Sequence, residues 1–238
     1  MKKNLTILFL FSFCIIYSQL SPEVNKLVNQ LSRSEKVEYK NIDVDGHESS
    51  VYKLFDSIQK ISTNDEIEYL VFNGSTVIKS YFSGSFVRAK HKKLEALFSE
   101  FIKKDDTIHI KTGCTGFETT LANNLYQEIY NLPHAIKTRE ECKKLLQKEA
   151  YQDPYLISEL SDLANSYSNW NMKDAQELIL KFDKIALDKS NSNIGIVEYI
   201  CLINQYNEKK LPHIKDFYYF KQKYNSKIIA DYIAFCTQ

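Results

Sequence analysis

Glycine and proline are scarce in this 238-residue chain, six and four respectively. Tight turns in sheet proteins draw on both residues, so their scarcity disfavours an all-β architecture and favours helices joined by short polar links. A charge excess of either sign is missing too. Lys plus Arg number 31 against 30 Asp plus Glu. Nucleic-acid or anionic-membrane surfaces call for a strong basic excess, so neither is expected as a partner. Metal and nucleophile spacings are equally absent: no C-x-x-C, H-x-x-x-H or H-E-x-x-H occurs, and the five histidines are isolated from one another. No cofactor, metal or catalytic residue is therefore assigned.

What is present begins with the leader. Lys2 and Lys3 precede an apolar run from Leu5 to Ile16, and Tyr17-Ser18-Gln19 follow. A short basic head, a dozen apolar residues and a polar exit form the layout of a secretory signal peptide over 1–19, with cleavage expected near Ser18 to Leu20. The run falls short of the roughly 20 residues that span a bilayer, so no permanent membrane anchor is expected. Cys14 lies within the run behind the bulky Phe13, a poor context for lipidation, so a lipoprotein is not expected. An exported protein, periplasmic or secreted, follows. Without Lys2 and Lys3 the basic count falls from 31 to 29 against the same 30 acids, leaving residues 20–238 near neutrality.

Four cysteines remain beyond the leader, Cys114, Cys142, Cys201 and Cys236. An even number in an oxidising compartment permits two disulfides in three pairings. Cys142, Cys201 and Cys236 instead occupy apolar helical positions, where a free thiol serves as a small hydrophobe.

The 16 Tyr and 14 Phe mostly recur at helical spacing. Ser21-Pro22-Glu23 opens a helix over 22–33, with Val24, Leu27, Val28 and Leu31 on one face. Residues 34–48 read as a polar connecting loop with weak alternation at Val37, Tyr39, Ile42 and Val44 and room for an extended piece. From Ser49 the stripes are continuous: Val51, Leu54, Phe55, Ile58 and Ile61, then a capping box at Thr63 to Glu66, and further helices on Val77 to Phe86 and Leu94 to Ile102. Residues 107–116 hold glycine and a period-2 pattern and read as an irregular loop. A second capping box at Thr138 to Glu141 and Asp153-Pro154 open later helices. Ala175, Leu178, Ile179, Phe182, Ile185 and Ala186 form a strong amphipathic stripe, followed by helices on 194–203, 211–220 and 228–236. About twelve helices with short links predict an all-α domain over 20–238 of antiparallel hairpins in series.

The stretch Thr63 to Phe86 resembles a HEAT or armadillo repeat: a short capped helix holding Leu70, a turn at Asn73 to Thr76, then Val77-Ile78-Lys79 and Tyr81-Phe82 opening a second helix. Ile194 to Phe220 repeats the outline, with Leu211-Pro212 and Ile214 opening its second helix. Thr76 stands where such repeats usually carry proline, Lys79 where they carry arginine, and Ser85-Phe86 where Ala-Leu is common. Lys79 cannot copy the bidentate pairing of arginine. The resemblance implies stacked hairpins, a HEAT-like α-solenoid, with an irregular helical bundle as the alternative. It also implies a surface that binds a protein or peptide, without chemistry.

Three local features invite a site. Asn41, Asp43 and Asp45 precede Gly46 as oxygens do in a calcium loop, but Tyr52 stands at the twelfth position, where a bidentate Glu is required. His109 and Cys114 flank Lys111, the residues on which an alternative reading as a thiol enzyme rests. Trp170, Tyr218 and Tyr219 are aromatics that either pack or contact a partner. The expected function is thus a non-enzymatic, exported helical-repeat protein that binds a protein or peptide. Its rivals are an enzyme built on Cys114 and His109, or an inhibitory or structural module.

Overall fold

The computed structural model describes residues 19–147 and 153–238. The expected signal peptide, with Cys14, lies outside them except for Gln19. The described chain is predominantly helical, with twelve helices among the described residues and one four-stranded sheet. In order these are α1 Pro22–Leu31, β1 Lys36–Ile42, β2 His47–Glu48, α2 Ser50–Ile61, α3 Asn64–Asn73, α4 Thr76–Arg88, α5 Leu94–Lys104, β3 Thr107–Gly113 and β4 Thr115–Thr120. Then follow α6 Leu121–Tyr130, α7 Leu132–Leu146, α8 Pro154–Asn165, α9 Met172–Ala186, α10 Ile194–Tyr206, α11 Ile214–Tyr224 and α12 Lys227–Thr237.

The chain divides into two compact units. Residues up to 82 with 108–118 form the first, and 83–107 with 119–238 the second, so the division falls within α4. In the first unit the sheet runs β2-β1-β3-β4. β1 and β3 are parallel, with Lys36 opposite His109 and Val37 opposite Ile110, and a bulge between Glu38 and Ile42. α2 packs on β1, and α1 on α2. Val24, Leu31, Phe55, Ile58, Leu70, Ile78 and Phe82 fill the core between them.

The sheet overturns the expectation of an all-α chain and of loops at 34–48 and 107–116. Ile108 and Ile110 point inward from β3 at period 2, the alternation that a half-buried strand requires. β1 buries only Val37, Glu38 and Ile42, so its pattern is broken by the bulge. β1 also uses a side chain as a neighbour. β2 pairs only with Asn41 and Ile42; at Glu38 the buried Tyr81 hydroxyl accepts the backbone N–H at 2.8 Å and donates to the same residue's carbonyl at 2.7 Å. That closes both backbone groups without a strand, as burial demands.

Helix starts follow the polar side chains ahead of them. Ser49, Thr63, Asp153, Asn171, Asn193 and Ser226 each accept a backbone N–H from the first turn they precede. The Thr63–Glu66 box is complete. The box expected at Thr138 does not form, because α7 begins six residues earlier, with Pro133 in its first turn. Arg139 is then free to turn inward, and it is 8% exposed.

In the second unit α9 is the hub, packing against α5, α6, α7 and α10. Phe182 stacks on Phe98 of α5 at 4.2 Å. α7 pairs with α8 around Cys142, Leu160 and Ala164, and α11 and α12 pair with each other and with α10.

Glu66 tests the first unit. Burial pushes its carboxyl up, but the Ser21 and Thr63 N–H groups, donating at 2.7 and 2.8 Å, together with the hydroxyls, outweigh this and hold it down to about 2 from 4.5. A depressed carboxyl contributes stability that is complete above its unfolded value and is lost as pH falls from 4.5 towards 2. Glu66→Gln is expected to cost about 2 kcal/mol at pH 7. Urea unfolding of both forms should show that gap close as pH drops through this window.

Candidate functional site

Three places gather chemically capable side chains, and each is built by helix caps or strand register. The first is the β3–β4 hairpin. Gly113 takes φ +51° at its tip and Cys114 follows, exposed. His109 lies on the outer face, its Nε2 3.4 Å from Glu118 Oε1 across the hairpin. These residues, with Lys36, Lys111 and Phe117, line an open depression of about 500 Å3. Four residues of extended strand run from His109 to Gly113, about 13 Å at 3.3 Å each. No hydrogen bond joins the thiol to the imidazole, whose ring nitrogen faces Glu118 instead. Lys111 is used locally, its ammonium 2.7 Å from Asp43.

The calcium-like segment sits beside it. Asp43 and Gly46 both take positive φ in the turn between β1 and β2. Asp43 is engaged by Lys111, and Asp45 by His47 Nδ1 at 2.7 Å, a bond that holds the Asp45 carboxyl below its usual range. Both carboxylates are therefore already engaged, Asp43 by an ammonium and Asp45 by an imidazole nitrogen. Among the described residues no three His, Cys, Asp or Glu side chains converge as a metal site, and no helix is long and apolar enough to cross a membrane.

The second place surrounds Trp170, which is 4% exposed. Its indole N–H donates to the Val87 carbonyl at 2.7 Å. Arg139 clamps the loop that carries it, donating to the carbonyls of Tyr167 at 2.5 Å and Trp170 at 3.0 Å. Of the two roles open to Trp170, the structure shows the packing anchor. A shallow depression of about 280 Å3 lies outside it, where Lys90 covers the ring and pairs with Asp174 while Lys181 pairs with Glu95. Tyr219 is half-buried, its hydroxyl donating to the Lys189 carbonyl at 3.2 Å and its ring facing the Lys189 and Lys223 ammonium groups. Tyr218 is exposed on the opposite side of α11 from buried Phe217 and Phe220. The structure does not bring Trp170, Tyr218 and Tyr219 together by any contact.

The third place is a buried polar cluster that has no counterpart among the sequence candidates. Asp183 of α9 is 0% exposed. Its Oδ1 accepts the Tyr126 hydroxyl of α6 at 2.6 Å. Its Oδ2 faces His213 Nε2 at 3.7 Å, too far for a hydrogen bond. Both of these atoms, and Asn204 Oδ1 of α10, are buried without a hydrogen-bond partner. Burial pushes the Asp183 carboxyl up, opposed by the Tyr126 hydroxyl and the His213 and Lys209 charges. Tyr126 is raised by its own burial and by Asp183. The signal was legible: Asp183 lies four residues after Ile179 and three before Ala186 on the apolar stripe, and Asn204 stands four after Ile200 in the same way.

The four cysteines among the described residues, Cys114, Cys142, Cys201 and Cys236, are free. Cys142 and Cys201 are buried, and burial pushes the Cys201 thiol well up, as expected of an inert core thiol.

Comparison with protein-family models, with curated proteins and with solved structures gives no match to this chain. Function is therefore argued from its own residues.

Trp170→Phe removes the indole N–H from the Val87 carbonyl, which keeps the Lys90 N–H at 2.9 Å, and is expected to cost about 1 kcal/mol. Tyr218→Ala should leave the thermal midpoint within about 1 °C of wild type, as expected of an exposed position. Calorimetry on both variants checks the contrast.

Proposed function

We propose that this chain is an exported, non-enzymatic module that binds a protein or peptide partner, and that the partner lays an extended segment along the outer edge of β4. The observation that carries this reading is the sheet order, which leaves β4 at the edge with Thr115, Gly116, Phe117 and Glu118 all exposed. Natural edges are usually blunted by lysine, proline, a bulge or a covering element. β4 holds no lysine or proline, and Phe117 is 50% exposed on it. An open strand offers main-chain hydrogen bonds to an added strand, while an exposed aromatic supplies the anchor.

The engagement of His109 with Glu118 rather than with Cys114 counts against the rival enzyme. An inhibitory module differs from a scaffold only in which partner it takes, and the same edge serves both. For the architecture, we favour the irregular bundle over the HEAT-like solenoid. Solenoid hairpins touch only their sequence neighbours, whereas α9 packs on α5 and α6 across 42 or more residues. The leader supports a periplasmic or secreted location.

Residues 20–238 should retain a specific partner at near-stoichiometric yield from the envelope of the exporting cell. Phe117→Lys should weaken retention at least tenfold, about 1.4 kcal/mol. Tyr206→Lys, on α10 in the second unit, should not. Equal retention by both variants, or an empty capture together with turnover of a small substrate, would sink the proposal.

A further inference from the structure

Asp183 and His213 are costly where they stand. A carboxylate removed wholly from water needs compensating partners, and this one has a single hydrogen bond, from Tyr126. His213 immediately precedes α11. The packing partners of α11 are α12 and α10, so the Asp183 contact ties the start of this terminal hairpin to α9, the hub of the unit. Other ties are hydrogen bonds: Tyr232 of α12 bonds to the Leu211 N–H and the Lys209 carbonyl, Tyr224 to the Ser192 carbonyl, and the Ser226 hydroxyl ahead of α12 donates to the Glu198 carboxylate of α10 at 2.6 Å. The Asp183–His213 contact differs from these in joining a carboxyl to an imidazole.

We propose that Asp183 and His213 form a proton-operated latch, in which uptake of one proton by the imidazole fastens the α11–α12 hairpin to α9 and its loss loosens it.

A neutral imidazole offers the carboxylate one ordinary N–H donor across a gap of 3.7 Å. An imidazolium offers a charge-assisted bond of roughly twice the strength and cancels the buried charge, taking the pair from −1 to 0. The proton comes from solvent, and no other bond forms or breaks. The His213 side chain is 26% exposed, so water reaches the ring although Nε2 itself is buried.

The groups acting on the pair leave this logic intact. From α6, Tyr126 donates to the other carboxylate oxygen, and Tyr130 feels the Asp183 charge. α10 contributes the uncharged Asn204. From the following loop, Lys209 stabilises the carboxylate while its ammonium lies over the Tyr130 ring at 5.1 Å. Lysine and tyrosine hold fixed charge states near neutrality, so they displace the midpoint without creating the pH dependence. Histidine is the side chain suited to switching in this range.

The sign follows from linkage. If the native pair binds more protons than the unfolded chain, stability rises as pH falls through its titration. The direction of the Asp183 shift agrees: a raised carboxyl contributes stability below its unfolded value that is lost as pH rises through its folded value.

The test is amide hydrogen exchange of residues 20–238, corrected for the intrinsic pH dependence of exchange, with α2 in the first unit as internal reference. Protection of α11 and α12 relative to α2 should rise about three- to tenfold between about pH 7.5 and about pH 5.5. In Asp183→Asn the Tyr126 bond has an amide oxygen to accept it and the charge is gone, so protection should be flat with pH. His213→Gln keeps a donor but cannot take a proton, so the rise should shrink to what the raised Asp183 carboxyl alone contributes. A flat wild type overturns the latch, whether or not either variant folds. So does a wild-type slope that persists in both variants.

Discussion

Every buried aromatic or charged side chain with a polar tip must find a partner for it, and in this protein those partners lie far away in sequence. Tyr81 closes the backbone of Glu38, Trp170 caps the Val87 carbonyl, Tyr126 holds Asp183, and Tyr232 binds both sides of the loop before α11. Helices of 10 to 15 residues are marginal alone in water. Their apolar stripes supply most of the driving force, but stripes alone do not choose a register between neighbours. Each bonded tip has one acceptable position. The aromatic richness of the chain is therefore also its set of cross-links, which makes disulfides unnecessary to the arrangement.

What the sequence discloses follows the same logic. Helices announced themselves where a cap met a stripe, as at Ser49, Thr63 and Asp153. The false start at Thr138 shows the limit: a local capping box loses to a proline-led helix start at Leu132 when the residue after it, Arg139, has buried carbonyls to serve. Strands were hidden for another reason. β2 is two residues long, β1 is bulged, and the outer part of β4 is exposed on both faces, so none of the three alternates cleanly. Only β3, with Ile108 and Ile110, carried the period of a strand. The Asp183 cluster was written into the stripe of α9 as one acid at an apolar position, yet its partners Tyr126, Asn204 and His213 come from three separate segments, and no spacing rule connects those.

The division of labour between the units then becomes intelligible. Both units turn polar residues inward, Glu38, Ser49 and Glu66 in the first and Arg139, Asp183 and Asn204 in the second, which favours one well-defined packing in each. The first unit leaves a strand edge open beside an exposed aromatic. Metal-like residues are present in that unit, but Asp43 is held by Lys111, Asp45 by His47, and His109 faces Glu118. What the proposed function draws on is backbone hydrogen bonding along β4, a resource suited to pairing with another extended polypeptide.

The most direct measurement of that claim is hydrogen exchange of the β4 amides, 115–120, with and without the captured partner. The account predicts that outward-facing amides of β4 exchange freely in the protein alone and become protected on binding, with little change over α8 or α11. Protection confined to a helical surface, with β4 unchanged, would contradict it.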